Sequence, residues 1–147
     1  MPVDRHLVFM GYGELADRIG AASISHNNIH YLPAVPPDQL QRYTVDADVG
    51  ISLIENVRLS YRLCLPNKLF EYAACGLPSV VSNFPEMAAF VDRYRCGWCI
   101  EPASEELLGL ASGLTAETIA LRRDNALRAS EVFCWQNEEA ALLYDVS

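Results

Sequence analysis

Short apolar runs alternate with amphipathic stretches along most of the chain. Residues 6–10 (HLVFM) form an apolar run that predicts a strand, ended by the turn Gly11-Tyr12-Gly13. Residues 14–22 carry Leu15, Ile19 and Ala22 on one helical face. Asn27-Asn28 marks a turn, and Ile29–Leu32 reads as a second strand. Pro33, Pro36 and Pro37 mark a loop, with Pro37 opening a short helix over 38–43. Residues 48–54 (DVGISLI) are apolar and β-branched, which predicts a third strand. A connection of about a dozen residues, 55–66, follows; that length without structure of its own is uncommon and tends to be functional.

Beyond Pro66 the period changes again. Residues 67–75 predict a helix with Leu69, Phe70, Tyr72 and Ala73 supplying its apolar side, stopped by Gly76 and Pro78. Ser79–Ser82 predicts a fourth strand, residues 86–93 a helix behind Pro85, and residues 98–100 a fifth strand. Helices are predicted at Ser104–Gly113, where Ser104 and the acidic pair Glu105-Glu106 suit a helix start, at Ala116–Val132, and at 136–144. Strands alternating with helices through short connections predict an α/β fold. It is a Rossmann-like parallel sheet of about five strands, with helices on both faces and a helical C-terminal segment.

The 147 residues fit one domain, residues 1–147, and no apolar run approaches the ~20 residues that span a membrane. A net charge of −8 speaks against a nucleic-acid partner and against an anionic membrane surface. Against that background Lys68, the only lysine, stands out. Five cysteines (Cys64, Cys75, Cys96, Cys99 and Cys134), with no signal-peptide pattern, predict a reducing compartment. Cys96-Gly97-Trp98-Cys99 has the spacing of a thiol redox pair, but a strand end rather than a helix follows it, so apolar packing is the plainer reading. The histidines, His6, His26 and His30, lie far upstream and do not complete a zinc half-site.

Ligands of open α/β sheets bind beyond the carboxyl ends of the strands, and three sequence features fall there. Gly11 and Gly13 allow close approach of backbone to a phosphate, or simply a tight turn. Pro66, Asn67, Lys68 and Glu71 open a helix whose first amides are free to bind an anion. Lys68 in a first helical turn is misplaced against the helix dipole unless an anion lies between them. Glu71, at i+3, shares its face; a lysine for phosphate and a carboxylate for hydroxyls is one reading, and a surface ion pair is the other. The third feature, Ser82-Asn83-Phe84-Pro85-Glu86, offers polar groups or helix capping.

The segment Pro66-Asn67-Lys68-Leu69-Phe70-Glu71-Tyr72-Ala73-Ala74-Cys75-Gly76-Leu77-Pro78 resembles the donor-binding segment of group 1 glycosyltransferases of the GT-B fold. Residues 7–14, 29–33, 80–87 and 97–102, and Phe133-Cys134-Trp135 with Tyr144, extend the resemblance over nearly the whole chain. The resemblance implies a nucleotide-sugar donor, a UDP- or GDP-sugar, as substrate, with no cofactor and no metal. Glu71 would hold the ribose hydroxyls. Lys68 would meet the diphosphate, with Pro66 and Asn67 presenting backbone N–H groups. Gly11 and Gly13 would let the chain pass close to the donor, and Leu32 and Pro33 would contact the base. Where many relatives carry a second glutamate, eight residues before Glu71, this chain has Leu63; in the base loop Pro33 stands where glycine is common.

The resemblance also implies a partner, an N-terminal acceptor-binding domain, and a first donor-domain strand that this sequence does not contain. The chain is thus expected to be a fragment inactive alone, its flanking strands pairing directly or exchanging between two copies in a homodimer. A full-length parent would transfer a hexosyl group to a glycan or lipid-linked acceptor, in the cytoplasm at the inner-membrane periphery. The alternative is a non-catalytic nucleotide-binding or interaction module of the same fold.

Overall fold

The computed structural model describes residues 2–55, 64–102 and 104–133; Leu63, Cys134, Trp135, Tyr144 and the helix predicted at 136–144 lie outside them. Among the described residues, five strands and six helices follow one another. They are β1 (Leu7–Met10), α1 (Ala16–Ser25), β2 (Ile29–Leu32), α2 (Pro37–Thr44), β3 (Gly50–Ser52) and α3 (Asn67–Ala74). Then come β4 (Ser79–Ser82), α4 (Pro85–Tyr94), β5 (Gly97–Ile100), α5 (Ser104–Gly113) and α6 (Ala116–Val132).

All strand pairs are parallel, as the alternation requires. They divide into two sheets. β1 pairs with β2, Leu7 opposite Ile29 and Met10 opposite Leu32. β4 lies between β3 and β5, with Val80 opposite both Ile51 and Trp98. β1 and β3 do not pair, so the direct pairing expected of these two strands is not made. Strand alternation explains what each leaves open. The Gly50 N–H donates to the Pro78 carbonyl, which turns the N–H and C=O of Ile51 away from β4. The N–H groups of Leu7 and Gly11 donate to Asn28 and Leu32, which turns those of Val8 and Met10 away from β2.

The core belongs to the second sheet. No residue between Pro2 and Val49 is buried, whereas every residue of β4 is. Leu69 of α3, Val81 of β4, Met87, Phe90 and Val91 of α4, and Ala126 of α6 form one cluster with Phe84 and Cys96. Each large side chain there contributes about 1.5–3 kcal/mol by leaving water. Phe70, Phe90, Tyr94 and Phe133 add an aromatic cluster with ring centroids 5.2–5.6 Å apart. Two arginines join the N-terminal elements to the later helices: Arg123 Nη2 donates to the Ala47 carbonyl at 2.9 Å and Arg5 Nη2 to that of Leu114 at 2.6 Å.

α3 ends as its sequence predicts. Gly76, at φ +68°, donates its N–H to Ala73, and Leu77 donates to Tyr72, the paired bonds of a Schellman motif. α6 begins with a capping box that the sequence reading does not include, Thr115 and Thr118 each bonding the other's backbone N–H.

Candidate functional site

The start of α3 is built for exposure on one side only. Pro66 is the extended N-cap residue, with φ −70° and ψ 143° and no side-chain cap. The Leu69 N–H turns back to the Pro66 carbonyl at 3.0 Å, and the Asn67 and Lys68 amides have no partner among the described residues. Leu69 and Ala73, four residues apart, are 1% and 3% exposed and fix the helix on the core. Asn67, Lys68 and Glu71 lie on the exposed side.

Lys68 and Glu71 do not form the surface ion pair that their spacing allows. The one ion pair among the described residues is Arg5 with Asp4, at 3.9 Å. Among the described residues, therefore, nothing compensates the cation in the first turn of α3 or pairs with the carboxylate one turn on.

Gly11, Gly13, Leu32 and Pro33 gather at the carboxyl end of the other sheet. Gly11 and Gly13 have φ values of +141° and +153°, and a Cβ at either would meet nothing within 4 Å. Conformation, not crowding, asks for glycine at both places. The Gly11 N–H donates to the Leu32 carbonyl at 3.2 Å, and Tyr31 Oη donates to the Gly11 carbonyl at 2.9 Å. A hollow of about 130 Å³ opens there, lined by Phe9, Met10, Leu15, Ile19 and Tyr31 beside the glycines. Leu32 is half-buried and Pro33 exposed. The candidate residues thus form two groups, one at the end of each sheet.

The third candidate segment has another role. Ser82 is fully buried and bonds Ile54 through both its backbone groups, while Asn83 Nδ2 donates to Glu101 at 3.1 Å. Neither caps α4, whose N-cap Phe84 makes no side-chain bond. The cysteine pair is also structural. Cys96 precedes β5 and Cys99 lies within it, and burial pushes both thiols up to about 11, the opposite of a reactive pair. No group of three or more metal-ligating side chains occurs among the described residues. No described helix is long and apolar enough to cross a membrane.

Sequence reasoning missed the hydrogen-bonding roles of Tyr31, Tyr72 and Ser82. Each acts through a backbone group at least 20 residues away, and local pattern carries no signal for such a partner.

The chain matches the family model for group 1 glycosyl transferases over residues 2–114, a span that holds both groups of candidate residues. It belongs to that family. This glycosyltransferase domain is also similar in fold to the crystal structure of WaaG, a glycosyltransferase involved in lipopolysaccharide biosynthesis. The match has a TM-score of 0.59 and 20% identity over 86% of this chain, and spans 33% of the WaaG chain. The Rossmann-like GT-B architecture expected from sequence is thereby established. No curated protein sequence matches the chain.

Proposed function

We propose that this glycosyltransferase domain binds the nucleotide-sugar donor, a UDP- or GDP-sugar, at the start of α3. The observation that carries the reading is that Lys68 and Glu71 lie on the exposed side of α3, and that neither they nor the helix's first amides have a partner among the described residues. Glu71 accepts hydrogen bonds from the two ribose hydroxyls, a bidentate contact that a free carboxylate makes well. Lys68 and the amides of Asn67 and Lys68 take the diphosphate, where the helix dipole and the ammonium act together on the departing nucleotide. Gly11 and Gly13 let the chain run close to the donor, and Leu32 and Pro33 meet the base. No metal is needed for this arrangement. Hexosyl transfer to a glycan or lipid-linked acceptor is the activity we propose for this domain joined to an acceptor-binding domain, in the cytoplasm.

Calorimetric titration of UDP, GDP and ADP against the 147-residue chain and its Glu71→Ala variant tests the reading. Binding at millimolar affinity or tighter, lost at least tenfold in the variant, is the expected result and identifies the base. Equal binding by the two proteins, or none by either, overturns it.

A further inference from the structure

Tyr72 follows Glu71 in α3 and reaches β3 with both parts of its side chain. Its ring lies flat in the space over Gly50: a Cβ there would stand 2.5 Å from Cδ2, 2.6 Å from Cγ and 2.7 Å from Cε2. Glycine is the residue that leaves the ring this room. The hydroxyl passes along the strand and donates to the Ile51 carbonyl at 3.2 Å. That carbonyl points away from β4, so Tyr72 satisfies a backbone acceptor that the sheet leaves open.

The geometry has a direct consequence for Glu71. Leu69 and Ala73 seat α3 on the core, and Phe70 holds one flank of that line by packing against Phe90 and Phe133. Tyr72 sits about 100° from Glu71 around that axis. Its bond to Ile51 and its seat on Gly50 hold the opposite flank from Phe70, against β3, and set the rotation of the helix on that strand. Burial, helped by the Glu71 carboxylate, holds the Tyr72 phenol above its ordinary 10.0, so the hydroxyl remains a donor at neutral pH.

We infer that Tyr72 is a positioning residue for Glu71, fixing the rotation of α3 on β3 so that the Glu71 carboxylate meets both ribose hydroxyls. This rests on the donor-site reading above. A misplaced carboxylate loses the bidentate contact while the open amides and Lys68 still meet phosphate.

The test compares UDP and GDP with their 2′,3′-dideoxy analogues and with inorganic pyrophosphate, titrated against wild type, Tyr72→Phe, Glu71→Ala and the double variant. Tyr72→Phe keeps the ring over Gly50 and loses only the hydroxyl. It is expected to weaken the ribonucleotide about five- to tenfold. Dideoxy and pyrophosphate affinities stay as in wild type, and the double variant binds no worse than Glu71→Ala alone. Gly50→Ala, which displaces the ring from the strand side, gives the same selective loss. Unchanged ribonucleotide binding by Tyr72→Phe, or an equal loss for all three probes, overturns the inference and leaves the donor site standing. A wild type that binds no nucleotide, or a Glu71→Ala variant that binds like wild type, overturns the donor site and the inference with it.

Discussion

Ser82 and Ile54 exchange two hydrogen bonds through one hydroxyl: Ser82 Oγ accepts from the Ile54 N–H at 2.7 Å and donates to the Ile54 carbonyl at 3.0 Å. β3 ends at Ser52, and the hydroxyl takes over where the backbone ladder stops. It thereby fixes the chain where it leaves the sheet toward α3. Ser82→Ala removes both bonds and leaves two backbone groups without their partner. The expected loss is about 2–4 kcal/mol of stability, read as a fall in the thermal midpoint. A midpoint within one degree of wild type would show that the hydroxyl is not the anchor.

Phe90 joins the two packed regions of the molecule. It belongs to the core cluster and touches Phe70, Tyr94 and Phe133 at ring-centroid distances of 5.2–5.6 Å. Truncation to alanine combines lost burial with a cavity between α3, α4 and the end of α6. Phe90→Ala is expected to cost about 3–5 kcal/mol, whereas Phe90→Leu, which fills most of that space, costs less than half as much. Urea unfolding of both variants checks the order, and equal losses would contradict it.

The buried thiols make stability fall at alkaline pH. Burial raises Cys96 and Cys99 from 9.0 to about 11, so between those values the unfolded chain releases protons that the folded chain keeps. Stability is therefore complete below pH 9 and declines as pH rises toward 11. Tyr72 and Cys75, both raised by burial first and by Glu71 second, change stability in the same direction. The thermal midpoint is expected to drop steadily from pH 9 to 11, with a shallower drop in a Cys96→Ala, Cys99→Ala double variant. Identical slopes for the two proteins would remove the thiols as the cause.

The alternation of apolar runs and helical faces gives the order of the described elements and their parallel pairing, because period and turn residues act locally. Ile29–Leu32, Ser79–Ser82, Ser104–Gly113 and Ala116–Val132 have the bounds their patterns predict. The division into two sheets is not legible in the same way. HLVFM reads as a strand and is one, yet Val8 is 55% and Phe9 37% exposed, since an apolar run records a tendency to be covered and not what covers it. α1 starts at Ala16, two residues later than its pattern suggests, because the left-handed Gly13 holds the turn and accepts the Ala16 N–H at 3.0 Å. In the candidate site, Lys68 and Glu71 were legible from charge and spacing. The Tyr72 bond to Ile51 joins residues 21 apart in the chain, and no local rule foretells it.

Lys68 gives a prediction in which stability and binding move in opposite directions. Its ammonium lies in the first turn of α3, against the positive end of the helix dipole, and no described carboxylate pairs with it. Replacing it with neutral glutamine removes an unfavourable charge from the ligand-free chain. The thermal midpoint of Lys68→Gln is expected to rise by about one or two degrees. If the same ammonium meets the donor diphosphate, UDP or GDP binds the variant about tenfold more weakly, and the deficit shrinks as salt is added. The matching nucleosides, which carry no phosphate, bind both proteins alike. Calorimetry with nucleoside and nucleoside diphosphate at two salt concentrations separates these outcomes. A variant that loses stability, or that loses nucleoside and diphosphate affinity equally, would mean that Lys68 serves the fold and not the anion.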